Sequence, residues 1–246
     1  MSVVYVGVDD TDVKGSPGTG RVARGLAKEL ESLGLTRSLG VSRHQLLVDD
    51  RIRYTSHNSS KGIAVDTQLT VDELLAAATG YMARCFVTGA DPGLCFCADR
   101  QVNQEIIDYG RLATSAVIPK TMALALAKKS GVVLKELGGT GDGVIGALAA
   151  VGLRAAGNDG RLVDLRGIHD IRGVLSVAEL LRLTDIDHVE STSGIVLGRA
   201  EVIDSQDRIR PSLVGGRPVL RVQRNGADSW VPVESRHKQG HEGGER

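Results

Sequence analysis

Residues 3–20 read VVYVGVDDTDVKGSPGTG, and this stretch carries the most information about the fold. The run 3–8 is apolar on both faces, which predicts a buried strand of an open α/β sheet. Three acidic residues, Asp9, Asp10 and Asp12, follow it directly, and a glycine-rich turn then leads into a helical pattern. We therefore predict an α/β protein with α+β elements, in which the end of the first strand and the following turn form a site.

The composition excludes several classes of protein. The chain has 246 residues, of which 41% are hydrophobic and only 3% aromatic. Lys plus Arg number 30 and Asp plus Glu number 30, so the formal net charge is zero, which disfavours a generally basic nucleic-acid-binding protein. The first residues lack a basic region followed by an apolar run, and no segment approaches the roughly 18 apolar residues of a membrane helix. We expect a cytoplasmic protein with no membrane partner.

The pattern of apolar residues divides the chain into two parts. Residues 1–157 are predicted to form an α/β domain, residues 158–235 a smaller β-rich domain, and residues 236–246 a disordered tail without apolar residues. A discontinuous arrangement of the domains is left open. Strands are predicted over 38–48, 63–68, 94–98, 132–137, 161–167, 193–202 and 217–224, and a polar turn-rich segment over 54–62. Helices are predicted over 21–34, 71–86, 103–114, 120–129 and 177–183, and after the second glycine-rich loop near residue 143.

The clustered carboxylates after the first strand predict a metal site. Three carboxylates at one strand end repel one another, and a divalent cation removes this repulsion. Mg²⁺ commonly takes one or two carboxylates together with phosphate oxygens and water. Because side chains alternate along a strand, Asp10 and Asp12 are predicted to hold Mg²⁺ while Asp9 turns away. The alternative is that one aspartate caps a turn and another pairs with an arginine.

Two glycine-rich turns are predicted to contact phosphate. The first contains Gly18, Thr19 and Gly20 and precedes a helix, whose amino terminus attracts anions. The second precedes another helix, and four of its residues are candidates for nucleotide contact: Gly139, Gly141, Asp142 and Gly143. Asn58 and Asp91, in separate turn-like segments, are further candidates for cofactor binding. For each of these, a purely structural role as a cap or a tight turn is the alternative.

Several of these motifs resemble one family in order along the chain. VGVDDTD with the glycine turn, a threonine and a helix resembles the amino-terminal motif of TiaS, the archaeal isoleucine-tRNA agmatinylcytidine synthetase. YTSHN at 54–58, GADPG at 89–93 and GDGVIGALAAVG at 141–152 resemble later segments of that family. The resemblance implies a kinase-like domain that uses ATP and Mg²⁺, followed by a smaller, ferredoxin-like domain. It also implies that Thr19 matches the threonine that carries phosphate in the family's mechanism.

The chain also departs from that family. The family turn usually reads Gly-Met-Cys-Thr-Thr, and of these residues only Thr19 survives here. The family continues into an OB-fold and a zinc module that grip tRNA, and this chain ends before them. Zero net charge, few aromatic residues and the absence of CxxC pairs disfavour tRNA as a partner.

The predicted function is ATP- and Mg²⁺-dependent phosphoryl transfer or ligation onto an unidentified small-molecule acceptor. Asp9, Asp10, Asp12 and Thr19 are its predicted catalytic residues, and a homodimer is one option for the assembly. One alternative is a non-catalytic nucleotide-binding or regulatory module. Another is a phosphatase, because Asp10-Thr-Asp12-Val resembles the DxDx motif of haloacid dehalogenases, although Lys14 stands where that motif has Thr or Val.

Overall fold

The computed structural model describes residues 2–226 and 229–233. In this part of the chain 31% of the residues are helical and 30% are in strands, which confirms the mixed α/β class. The tail predicted for residues 236–246 lies outside the described residues. Among the described helices, none is both long and apolar enough to cross a bilayer.

The strands join into one sheet with the order β5-β4-β1-β3-β2-β6-β10-β11-β12-β9-β7, and β8 pairs with β11 beside this path. The strands of the first part are Ser2–Asp9 (β1), Thr36–Gln45 (β2), Ser59–Thr67 (β3), Gly93–Ala98 (β4) and Val133–Glu136 (β5). Those of the second part are Arg161–Asp164 (β6), Val174–Ser176 (β7), His188–Ser191 (β8), Val202–Asp204 (β9), Ser212–Val214 (β10), Arg217–Asn225 (β11) and Ser229–Pro232 (β12).

Six α-helices accompany the sheet in the described part of the chain. They are Thr19–Glu31 (α1), Val71–Arg84 (α2), Gln104–Ala113 (α3), Lys120–Ser130 (α4), Gly143–Ala156 (α5) and Val177–Leu183 (α6). The residues before α2 explain why this helix begins at Val71. The Thr70 hydroxyl accepts from the Glu73 amide, and the Glu73 carboxylate accepts from the Thr70 amide. This capping box satisfies two amides that would otherwise lack helical partners.

The first strand has antiparallel neighbours on both sides. It pairs with β3 and with β4, so the arrangement differs from the open α/β sheet that the apolar run predicted. Antiparallel pairing brings the carboxyl end of β1 to the amino ends of its two neighbours. Val8 lies opposite Lys61 of β3, and Asp9 lies opposite Gly93 of β4. The side chains after β1 therefore meet residues from the starts of two other strands.

Helix α5 packs directly on β1 because small residues permit the approach. A Cβ on Gly7 would overlap the carbonyl oxygen of Ala147, and a Cβ on Gly146 would overlap the carboxylate of Asp9. All residues of α5 from Val144 to Leu153 except Ile145 are buried. The absence of two side chains thus sets the first turn of α5 beside the end of β1.

The apolar core consists of three clusters of buried residues. Two clusters of buried residues lie within residues 4–153, and a third consists of residues between 162 and 222. Two local predictions are wrong. Residues 59–62 belong to β3 rather than to a turn, and residues 193–201 form no strand, because they turn back between β8 and β9 with Ile195 67% and Val196 60% exposed.

Candidate active site

A cleft of about 500 Å³ lies at the carboxyl end of β1. Residues from both glycine turns, from β1 to β3, from the connection between β2 and β3, and from the start of α5 line it. Its charged lining contains five aspartates and five basic residues, besides His57. These are Asp9, Asp10, Asp12, Asp91 and Asp142, and Arg43, Arg51, Arg53, Lys61 and Lys120. Cations and carboxylates facing one cleft suit a phosphate ligand that is bound together with a metal ion.

Asp9, which ends β1, and Asp10 and Asp12, which follow it, all face this cleft. The predicted separation of Asp9 from Asp10 and Asp12 is wrong, because the chain does not continue as a strand beyond Asp9. Asp10 has a φ of 50°, in the left-handed region that is uncommon for residues other than glycine. This turn ends the alternation of side chains on which the prediction depended.

Burial has a larger effect on the pKa values of Asp9 and Asp10 than any neighbouring charge has. Burial raises the pKa of Asp9 to about 7, although the Lys61 ammonium opposes the rise. Burial raises the pKa of Asp10 to about 6, with a further contribution from the negative charge of Asp91. Burial also lowers the pKa of Lys61 to about 8. The two carboxylates are therefore held where ionisation is costly, as expected for groups that a cation stabilises.

Asp12 holds the first glycine turn. Its Oδ1 accepts from the Thr19 amide at 3.1 Å and from the Thr19 hydroxyl at 2.7 Å, and its Oδ2 accepts from the Thr55 hydroxyl at 2.7 Å. The interpretation that one aspartate caps a turn therefore holds for Asp12. Because a carboxylate offers about four acceptor positions, Asp12 keeps capacity for one more ligand.

The predicted residues of the first turn line the cleft. Gly18, Thr19 and Gly20 all border it, and Gly18 immediately precedes the first residue of α1. Thr19 is 6% exposed, and its hydroxyl donates to Asp12 and accepts from the Thr11 hydroxyl at 3.2 Å. A hydroxyl that donates to a carboxylate is oriented as an activated nucleophile would be.

Asp91 holds the second glycine turn in the same way. It accepts from the Thr140 amide at 3.1 Å, from the Gly141 amide at 2.6 Å and through a very short bond from the Thr140 hydroxyl. Burial opposes its ionisation, yet these hydrogen bonds outweigh burial and lower the pKa of Asp91. Asp142 and Gly143 line the cleft, whereas Gly139 and Gly141 do not. The Gly141 amide is already engaged by Asp91, so it is not directed at a ligand.

Sequence patterns missed most of the basic lining. Arg43 comes from β2, Lys61 from β3 and Lys120 from the start of α4, so no short motif contains them together. Lys120 donates to the carbonyl oxygen of Thr140 at 2.6 Å and thereby supports the second turn. Asn58, which was predicted, lines the cleft and donates its amide to the Leu47 carbonyl at 2.6 Å.

The lining fits a magnesium ion bound with phosphate better than a metal held by protein alone. No group of three or more His, Cys, Asp or Glu side chains within residues 2–226 and 229–233 has the spacing of a metal site. Mg²⁺ needs only one or two carboxylates when phosphate oxygens and water complete its coordination. Two groups meet that requirement. They are the carboxylate of Asp10, whose pKa is raised, and the remaining acceptor position of Asp12.

No family model matches the sequence, and no curated protein matches it. Solved structures do match. The TiaS–tRNA–ATP complex is 25% identical with a TM-score of 0.55, over 67% of this chain and 38% of that chain. A tRNA fluorescent labelling enzyme is 26% identical with a TM-score of 0.53, over 66% and 37%. The TiaS–tRNA–AMPCPP–agmatine complex is 24% identical with a TM-score of 0.54, over 62% and 36%.

The chain has a partial TiaS-like fold. It spans little more than a third of the length of the solved chains that it matches. The TiaS resemblance stated from the sequence is therefore confirmed for the fold, and it covers about two thirds of this chain.

Proposed function

We propose that this chain is an ATP- and Mg²⁺-dependent enzyme that transfers a phosphoryl group, or ligates, onto a small-molecule acceptor. The observation that carries the proposal is the single cleft in which the aspartates after β1, both glycine turns and five basic side chains meet. The partial TiaS-like fold supports ATP as the nucleotide, because one of the similar structures is a TiaS complex with ATP.

Asp10 and Asp12 would hold Mg²⁺ in this proposal. When bound, the ion would neutralise charge on the phosphate oxygens. Gly18 and Gly20 would let the phosphates approach the amino end of α1, and Lys61 would face them from β3, since it lines the same cleft beside Gly20. Most of the catalysis would then come from positioning and charge neutralisation, as is general for phosphoryl transfer.

Asp9 would accept the proton of the acceptor. The oxygen or nitrogen of the acceptor would attack the γ-phosphorus, the bond from that phosphorus to the bridging oxygen would break, and ADP would leave with the bonding pair. In a ligase-like reaction the attack would fall on the α-phosphorus, pyrophosphate would leave, and the acceptor would carry the AMP until a second nucleophile displaced it. Thr19, whose hydroxyl donates to Asp12, would bind phosphate or accept it transiently.

The acceptor is proposed to be a small molecule rather than tRNA. A net charge of zero and 3% aromatic residues give little for phosphate backbones or base stacking over a large surface. We also propose a homodimer as the assembly of this chain.

Calorimetry with ATP and MgCl₂ tests the proposal. Wild type is expected to bind, and Asp10→Ala combined with Asp12→Ala is expected to lose binding by at least about tenfold, because two ligands of the ion are removed. Asp170→Ala, an exposed aspartate outside the cleft, is the matched control. Absence of binding to wild type, or equal binding to the double variant, contradicts the proposal.

Product analysis then separates the classes of reaction. Release of ADP indicates attack on the γ-phosphorus, and release of AMP with pyrophosphate indicates attack on the α-phosphorus. Tight nucleotide binding without turnover in the presence of amines, polyols or tRNA would favour the regulatory module. An aspartyl-phosphate analogue trapped with beryllium fluoride on Asp10 would favour the phosphatase.

A further inference from the structure

Three cations stand side by side across the sheet. Lys61 of β3 lies directly opposite Arg43 of β2, and Arg43 lies directly opposite Arg161 of β6. Residues that are direct partners on neighbouring strands project from the same face, with Cβ atoms about 5 Å apart. We call Lys61, Arg43 and Arg161 the cationic row. It begins at the cleft, which Lys61 and Arg43 line, and it runs away from the aspartates.

The outer two members of the cationic row have no carboxylate partner. No ion pair among the described residues includes Arg43 or Arg161. Arg43 donates to the Gln45 side chain at 3.0 Å, and burial lowers its pKa. Burial also lowers the pKa of Arg161, and the positive charges of Arg43 and Arg208 lower it further. Like charges placed directly opposite one another destabilise a sheet, and a bound anion would relieve this repulsion.

The positive charge continues beyond Arg161 into a second groove. This groove has a volume of about 590 Å³ between α1 and the second part of the chain. Six of its lining residues are basic or His, and they are Arg24, Lys28, His169, Arg172, Arg208 and Arg210. Its two carboxylates are both engaged, since Asp164 contacts His169 at 3.2 Å and Asp207 accepts from the Gly173 amide at 3.0 Å. The excess of positive charge in the groove is therefore not neutralised locally.

We propose that the acceptor is itself an anion, a small molecule bearing a phosphate group that binds between Arg43 and Arg161. This inference rests on the proposed function, because it names the substrate class of the proposed acceptor. The phosphate group would lie at the rim of the cleft, since Arg43 lines the cleft and Arg161 lies on the next strand beyond it. Arg161 lies two strands from Lys61, a separation of about 10 Å. A triphosphate held at the glycine turns reaches Lys61, and Arg161 is left for a second anionic group.

The same row disfavours a cationic acceptor. Agmatine carries two positive charges at neutral pH, so Arg43 and Arg161 would repel it, whereas a phosphate would accept charge-assisted hydrogen bonds from both guanidinium groups. The planar guanidinium group of arginine can donate two parallel hydrogen bonds to a phosphate. Two arginines at the outer end of the cationic row therefore indicate an acceptor that bears a phosphate group.

Titrations of the full chain with inorganic phosphate and with glycerol phosphate test the inference. Calorimetry measures the binding of each probe, first in the absence of nucleotide and then with saturating ATP and MgCl₂. Arg161→Gln is expected to bind either phosphate probe about tenfold more weakly, because one charged hydrogen-bonding partner is lost. Binding of ATP with MgCl₂ is expected to change less than twofold. Arg182→Gln, an exposed arginine on α6, removes the same charge elsewhere in the second part.

The melting temperature supplies a second readout that a structural role would not give. Without any anion, Arg161→Gln is expected to melt at a higher temperature than wild type, because the repulsion with Arg43 is relieved. Phosphate is expected to raise the melting temperature of wild type and to leave that of Arg161→Gln almost unchanged. Arg161→Lys, which keeps the charge, is expected to recover part of the phosphate response.

Three outcomes overturn the inference. They are equal phosphate binding by Arg161→Gln and wild type, a loss of ATP binding in Arg161→Gln as large as the loss of phosphate binding, and tighter binding of agmatine than of phosphate. If ATP fails to bind wild type while phosphate binding still depends on Arg161, the anion site stands and the proposed function alone is rejected.

Discussion

The two glycine turns of the cleft look alike in sequence and differ in why they contain glycine. Each precedes a helix, and each is held by an aspartate, Asp12 in the first turn and Asp91 in the second. A Cβ on Gly143 would overlap the carbonyl oxygen of Asp91 and come within 2.7 Å of the Gly93 amide. A Cβ on Gly18 would meet no atom within 4 Å. Packing therefore requires glycine in the second turn and leaves it unexplained in the first.

This difference separates the fold from the proposed chemistry. Gly18 has φ −65° and ψ 157°, an extended conformation that any residue adopts, so backbone strain does not require glycine there either. The proposed function supplies a reason for glycine at this position, because a missing side chain beside the cleft would let a ligand approach closely. The following predictions test this comparison.

Gly143→Ala should have the largest effect on stability. Its Cβ would meet backbone atoms of Asp91 and Gly93, which cannot move without separating α5 from the amino end of β4. We expect a loss of about 3 kcal/mol in the free energy of unfolding, measured by urea denaturation. A loss no greater than that of Gly18→Ala would remove the contrast between the two turns.

Asp91→Asn should come next, with a loss of about 2 kcal/mol, because three donors of the second turn lose a charged acceptor. Its pH dependence gives a second test. The fold lowers the pKa of Asp91, so its contribution is complete above the unfolded value of about 3.9 and is lost as the pH falls through the lower folded value. Below about pH 4 the stabilities of wild type and Asp91→Asn should therefore converge. Asp170→Asn is the control, and a difference that persists in acid would contradict this role of Asp91.

Thr19→Val should cost about 1 kcal/mol, because it removes the hydrogen bond that the Thr19 hydroxyl donates to Asp12 and the one that it accepts from Thr11, while it keeps the shape of the side chain. Thr19→Ser should recover stability, since it restores the hydroxyl. Thermal melting of both variants measures the effect. If Thr19→Ser is as unstable as Thr19→Val, then packing of the methyl group rather than the bond to Asp12 stabilises the first turn.

Gly18→Ala should change stability least, within about 0.5 kcal/mol of wild type. Calorimetry should nevertheless show weaker binding of ATP with MgCl₂, by about tenfold, because the new methyl group occupies space reserved for the ligand. Gly15→Ala has an equally open site but a φ of 89°, so it reports backbone strain without obstructing the cleft. Unchanged nucleotide binding in Gly18→Ala would mean that the glycine has no role toward a ligand.

The sequence predicted the local elements well and the neighbours of each element poorly. The run before Asp9 is a strand, and the first turn does precede a helix, because apolar periodicity and turn residues act over a few positions. The side chain of Asp9 was placed wrongly, since the left-handed conformation of Asp10 has no signature in its residue type. The predicted start of β3 is also wrong. Residues 59–62 are polar or small, a composition that predicts a turn, yet they pair with β2.

The cationic row could not be predicted for a different reason. Its members, Arg43, Lys61 and Arg161, are separated by many residues along the chain and become neighbours only through strand register. Alternation assigns a side chain to a face, and it does not say which strand lies alongside. Asp9, Asp10 and Asp12 could be predicted as a group because they lie within four positions of one another.

The pairing of β2 with β6 has a mechanical consequence. The sheet passes through this pair from the strands that carry the cleft to the strands of the second part. Rotation of the second part as a separate body would have to break these backbone hydrogen bonds. The connection 46–58 borders the cleft and is fastened by Thr55 to Asp12 and by Arg53 to the Gly89 carbonyl. Displacement of this connection would have to break the hydrogen bonds from Thr55 to Asp12 and from Arg53 to Gly89, while the sheet stays unchanged.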